Sequence, residues 1–208
     1  MDTIKKYFPK LTQKQYDQLE QLGLLYKEWN QKINVVSRKD IDNIYTHHIL
    51  HSMVIAKAMK LMPGAKILDL GTGGGLPGIP LAIMFPDTDF TLVDGTRKKI
   101  TVVNAIIEEL GLVNAKGYQQ RAEEMKEKFD FVVCRAVASI DKLYQWTSHL
   151  ISTKHLHSVP NGLITLKGGD VEKEMKLLPK FVFHEIWSVS DYIPEPQFEE
   201  KVMIYAQV

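Results

Sequence analysis

The sequence predicts an α/β fold: a mostly parallel seven-stranded sheet that ends in an antiparallel C-terminal hairpin and is preceded by a helical N-terminal extension. Three observations predict it. Short apolar runs alternate with stretches of helical period across residues 66–166, as expected for parallel strands joined by right-handed crossover helices. The first run leads into a glycine-rich segment at 71–78, where a strand turns into a helix. Two strand-like segments with no helical period between them close the chain.

The extension comes first. Residues 12–28 carry Leu19, Leu22 and Tyr26, with Trp29 just beyond, at spacings of three and four behind Thr12, a residue suited to cap a helix. Residues 40–61 repeat the pattern: Asp40 is a second cap, and Ile44, His48, His51, Ile55, Met59 and Met62 form one stripe that Pro63-Gly64 stops. The boundary expected from these signals puts a helical extension at 1–62 and the sheet domain at 63–208.

Beyond it, Ile67, Leu68 and Leu70 mark a buried strand. A helix over 77–85 and a strand over 90–93 follow. The helix over 96–110 turns Ile100, Val103, Ile106, Ile107 and Leu110 inward. Strands are expected at 115–118, 129–134 and 163–166, with a helix at 141–151. Segments 181–189 and 201–207 read as the closing hairpin, with Pro194 and Pro196 in the turn-rich chain between them.

Composition excludes several classes. With 208 residues and 45% hydrophobic content the chain can bury one substantial core. Its single cysteine, Cys134, forms no intramolecular disulfide, and the N-terminal residues lack the apolar core of a secretory signal, so a cytoplasmic location is expected. Every apolar run is cut well short of the roughly 18–20 residues that span a bilayer, which argues against a membrane partner. The net charge is only +1, but residues 1–62 hold ten Lys/Arg against six Asp/Glu, so the extension is the basic end.

The segment from Asp69 to Gly78 carries the chemistry. It contains the spacing Gly73-x-Gly75-x-x-Gly78 between a strand and a helix, and Asp94 ends the next strand, placed to meet a ribose hydroxyl. Glycines there let backbone approach a ligand closely. The spacing alone serves NAD as well as S-adenosylmethionine. Asp69, just before Gly71, favours a cationic sulfonium over a pyrophosphate. The antiparallel finish and the lack of room for a separate substrate domain point the same way, as does the acidic Glu123 after the third strand, near where an adenine edge would lie. The expected domain is thus a Rossmann-like, class I S-adenosylmethionine-dependent methyltransferase, with Asp69, Gly71, Gly73, Gly75 and Asp94 at the donor.

The chain resembles the bacterial small-subunit ribosomal RNA guanine-N7 methyltransferases, also called glucose-inhibited division protein B. The resemblance runs through Trp29-Asn-Gln-Lys-Ile-Asn34, His48-Ile-Leu50, Asp69-Leu-Gly-Thr-Gly73, Gly75-Leu-Pro-Gly-Ile-Pro80, Asp94 with Lys98-Lys99, Arg121-Ala-Glu123, Phe129-Asp130, Arg135-Ala136 and Leu166-Lys-Gly168. It implies methyl transfer to N7 of a guanine in 16S ribosomal RNA, as free RNA or within the small subunit. It also implies that Gly71 and Leu76 line the donor site, that Ala122 and Glu123 meet the adenosine, and that Arg135 faces the shared cleft. The chain departs from the pattern at His47, where the family has arginine, and at His51, where it has aspartate.

Guanine N7 carries a free lone pair, so no general base is expected, and Arg135 and Lys167 are candidates for positioning the substrate by contacts to phosphate or base edge. Lys5, Lys6, Lys10, Lys32, Arg38, Lys39, His47 and His48 could supply a cationic RNA surface. His47 and His51 have the i, i+4 spacing of a metal pair but no accompanying Glu or cysteine cluster, so no metal is expected. A monomer is expected. The residues leave open a methyltransferase for another RNA position or a small molecule, a non-catalytic nucleotide-binding module, and an NAD-dependent dehydrogenase.

Overall fold

The computed structural model describes residues 1–208. Helix α1 (Asp2–Tyr7), which the sequence reading did not anticipate, precedes α2 (Gln13–Lys32). Thr12 and Gln15 cap α2 reciprocally: the Thr12 Oγ1 accepts the Gln15 amide hydrogen, and the Gln15 Oε1 accepts that of Thr12. Leu19, Leu22 and Tyr26 are fully buried along its inner face.

The expected continuous helix over 40–61 is broken. A 3-10 turn (Ile41–Asn43) leads into a π-helical stretch (Ile44–Ile49), then α3 (Leu50–Met53) and α4 (Ile55–Ala58). The backbone becomes extended at Met59, ahead of Pro63, and Met62 is left 53% exposed rather than on the buried stripe. The wider π turn changes which side chains share a face. His47, which the expected stripe left out, lines one cavity wall together with His48 and His51.

From β1 (Lys66–Leu70) the alternation proceeds as expected through α5 (Gly78–Met84), β2 (Asp89–Asp94), α6 (Arg97–Glu109) and β3 (Ala115–Gln119). It continues through β4 (Phe131–Arg135), α7 (Ile140–Thr147) and β5 (Gly162–Gly168). A short α8 (Glu172–Met175), not expected from the sequence, precedes β6 (His184–Ser188) and β7 (Lys201–Gln207). Phe129, expected inside the fourth strand, makes only an isolated bridge to Ile151.

The seven strands lie in the order β3-β2-β1-β4-β5-β7-β6. Strands β1 to β5 are parallel, while β7 runs antiparallel to β5 and carries β6 on its outer edge. The order reverses between β1 and β4, which opens a crevice beyond their carboxyl ends, where open α/β sheets bind ligands. Alternate strand residues serve two cores. Ile67, Phe131 and Leu166 pack with α2, α3, α5 and α6, whereas Leu68, Val132 and Cys134 pack with α7 and α8. Ile4, Leu19, Leu22 and Tyr26 of the extension share the first core with the sheet.

Candidate functional site

The loop after β1 is built on backbone conformations that suit glycine. Gly71 and Gly73 lie at φ +63° and +60°, and a β-carbon on Gly71 would fall 2.7 Å from Val137. Beneath the loop, Asp69 is fully buried. Its Oδ2 accepts hydrogen bonds from the Thr72 hydroxyl and from the Gly78 amide, the latter at 2.8 Å. Burial pushes the Asp69 carboxyl up to about 7, against these donors and the charge of Arg135. On the loop's other side, the buried Tyr26 hydroxyl of α2 donates to the Gly74 carbonyl at 2.9 Å.

Asp94, at the end of β2, ties this loop to α6. Its Oδ2 accepts from the Gly73 amide at 3.1 Å, its Oδ1 accepts from the Thr96 amide at 2.8 Å, and the Lys99 ammonium stands 3.6 Å away. Two cavities meet at Gly71, Asp94 and Val137. One, of about 390 Å³, is walled by loop residues 71–74, Leu76, Lys99 and Val35. The other, of about 300 Å³, is walled by Leu70, Val93, Ala122, Glu123 and Trp146. A polar, glycine-walled cavity continuous with a more apolar one that offers an indole fits the amino-acid head and the purine of S-adenosylmethionine. Bare backbone at Gly71 and Gly74, where added β-carbons would strike Val137 and Val35, keeps the first cavity open.

A third chamber, of about 460 Å³, shares Arg135 and Ala136 with the first cavity. Ala136 is the chain's one non-glycine residue at positive φ, +53°, an uncommon conformation of the kind that clusters at functional sites. Asp40 holds the chamber's histidine wall, accepting from His47 Nδ1 at 2.8 Å and from His48 Nε2 at 2.7 Å. Burial works to raise its carboxyl, but hydrogen bonds from Asn43, His47 and His48 outweigh that and hold it below the ordinary range. His51 is buried against Phe198, with ring centroids 5.4 Å apart. Burial, aided by Arg135, Lys201 and His48, pushes its imidazole down to about 3, so the ring is neutral. Arg135 reaches one acceptor, the His48 carbonyl, at 3.5 Å.

Most of the residues expected at the donor come together. Gly71, Gly73, Leu76, Asp94 and Arg135 line the first cavity, and Ala122 and Glu123 the second. Three placements differ from expectation. Asp69 lies beneath the loop rather than facing the cleft, because its carboxylate accepts the loop's own donors. Gly75 turns away from both cavities and packs at Ile79, whose Cδ1 an added β-carbon would meet at 2.3 Å. Lys167 lines the chamber, but its ammonium is occupied by Glu174 and by the Ala138 carbonyl at 2.7 Å, so it braces α8 rather than offering a free charge. The sequence reading gave no site role to Val35, Lys99, Val137 or Lys201. Lys99 and Val137 lie close in sequence to Asp94 and Arg135, whereas Val35 and Lys201 reach the site only through packing of distant segments.

This sheet order, with its glycine-walled crevice and antiparallel finish, is that of the S-adenosylmethionine-dependent methyltransferases. A solved S-adenosylmethionine-dependent methyltransferase from Aquifex aeolicus superposes with a TM-score of 0.55 at 13% identity, over 74% of this chain and 88% of that one. The family described as rRNA small subunit methyltransferase G matches residues 15–190, and this chain belongs to it. The chain is 48% identical to the ribosomal RNA small subunit methyltransferase G of Flavobacterium johnsoniae, over 99% of this chain and 97% of that protein. It is 50% identical to the protein of the same name from Bacteroides thetaiotaomicron, over the whole of both. No helix is long and apolar enough to cross a membrane.

Proposed function

We propose that this protein transfers a methyl group from S-adenosylmethionine to N7 of a guanine in 16S ribosomal RNA. Family membership supplies the reaction class. The observation that carries the rest is the shared wall: Arg135 and Ala136 border both the donor cavity and the basic chamber, so a base entering the chamber would meet the donor there.

Bound S-adenosylmethionine supplies a methyl group on a sulfonium, which is electrophilic without further activation. Gly71, Gly73, Leu76 and Asp94 would hold its amino-acid and ribose portions, with Ala122, Glu123 and Trp146 around the adenine. Asp69 and Gly75 act through the loop's shape. Guanine N7 attacks with a lone pair that carries no proton, so the residues need only align the partners and exclude water, an effect worth several kcal/mol. The geometry is consistent with that: Asp69, whose carboxyl is poised near neutrality, is sealed under the loop and cannot reach a substrate. Arg135 adds positive charge near the acceptor, which suits an anionic strand better than the developing purinium. The basic residues of 1–62 would extend the RNA contact, with Arg38 and Lys39 immediately preceding in sequence Asp40, which lines the chamber.

Labelled methyl transfer to 16S RNA and to small subunits, both from cells lacking this protein, tests the proposal. Labelled 7-methylguanosine at one position is the expected product. Donor binding without labelling of either substrate would redirect the assignment to a methyltransferase with another acceptor.

A further inference from the structure

The basic chamber contains more positive charge than its own carboxylates engage. Lys167 is occupied by Glu174, and Asp40 by two histidines. Two cationic groups are left. Arg135 has the single 3.5 Å contact to the His48 carbonyl, and Lys201 has no carboxylate within ion-pair distance although Glu199 and Glu200 precede it. They approach from different elements, Arg135 from the end of β4 and Lys201 from the start of β7.

The fold makes room for Lys201 in particular. Gly168 is its cross-strand partner, and a β-carbon there would lie 2.8 Å from the lysine Nζ and 3.2 Å from its Cδ. The lysine stem therefore lies over the glycine at the end of β5, with its residue lining the chamber and not the donor cavities. Its charge reaches His51, which is held neutral and so adds no repulsion. A neutral base would not call for this second unspent cation, whereas an RNA strand brings a phosphodiester on either side of the target nucleotide.

We propose that Lys201 is a phosphate ligand for the acceptor strand, holding a phosphodiester next to the target nucleotide at the chamber opposite Arg135. This rests on the reading of the protein as a ribosomal RNA methyltransferase. A phosphate contact contributes to affinity through counterion release and carries little sequence information, which defines its signature.

The test compares wild-type protein with Lys201→Met, Lys201→Gln and Lys201→Arg in binding to small-subunit RNA across a salt series. The two neutral variants are expected to bind more weakly and to flatten the slope of log K against log salt by about 0.7–1, while arginine retains affinity and slope. Affinity for S-adenosylmethionine and the melting temperature should stay at wild-type values in all three. A wild-type slope in both neutral variants overturns the proposal, as does a loss of RNA affinity that tracks a loss of donor affinity or of folding. If wild-type protein neither binds nor methylates small-subunit RNA, the proposed function fails first, a result distinct from an unchanged slope.

Discussion

Asp69 Oδ2 accepts the amide hydrogen of Gly78 at 2.8 Å, so a carboxylate on β1 pins the far end of the glycine loop from below. The same oxygen accepts the Thr72 hydroxyl hydrogen, while Oδ1 is buried without a partner. Because burial raises this carboxyl from 3.8 to about 7, the folded protein binds its proton more tightly than the unfolded chain does. The associated stability is fully present below pH 4 and is lost as pH rises to about 7. Asp69→Asn removes that titration. Denaturant unfolding at several pH values should show the variant gaining on wild type between pH 4 and 7, with a constant difference above. A pH-independent difference would mean that the carboxyl titrates normally.

Substitutions at two loop glycines separate strain from steric filling. Gly73→Ala meets no atom within 4 Å, so only the left-handed backbone opposes it, at about 1–2 kcal/mol. Gly71→Ala meets Val137 as well and should be less stable still, with weaker donor binding. Thermal melts and calorimetric titration with S-adenosylmethionine check the order. Equal losses would show that Val137 yields freely.

Asp94→Ala removes acceptors from the Gly73 and Thr96 amides at once. Hydrogen bonds to a charged group are worth about 1.5–3 kcal/mol, so donor affinity should fall tenfold to a hundredfold. Asp94→Asn should lose less. Titration calorimetry reads both, and donor affinity unchanged in the alanine variant would remove Asp94 from the donor site.

Lys167→Met should lower stability by about 1–3 kcal/mol by leaving the Ala138 carbonyl without its donor and Glu174 with the Ile140 amide alone. The loss stays modest because the Glu174 side chain is 32% exposed and water can solvate it. In a double-mutant cycle, Glu174→Gln should cost less once Lys167 is gone, since the glutamine carbonyl can still accept the Ile140 amide hydrogen. A stable Lys167→Met variant with weakened RNA binding would return this lysine to the substrate.

Helix α6 was legible because its buried residues recur at the helical period, and strands β1 and β2 because burial on both faces leaves short continuous apolar runs. The glycine loop was legible because left-handed backbone leaves a compositional trace. Residues 40–61 were not. Their apolar spacing fits an α-helix, but the chain takes a π turn over Ile44–Ile49, and Asp40 bridges His47 and His48 across the turn before it. The short α1 and α8 offered too few residues for any period to register.

By itself the sequence determined the alternating strands and helices of the sheet domain, the position of the ligand-approaching turn and the family to which the chain belongs. Only the tertiary structure decided which polar groups are engaged and which are free. Asp69 and Lys167 looked available in the sequence but are occupied by partners within the fold, whereas Lys201 carried no motif and stands unpaired beside the chamber. The physical reason is range. Periodicity reports burial one turn at a time, while contacts such as Tyr26 to Gly74 and Arg135 to His48 join positions 48 and 87 residues apart and exist only once the helical extension has packed against the sheet.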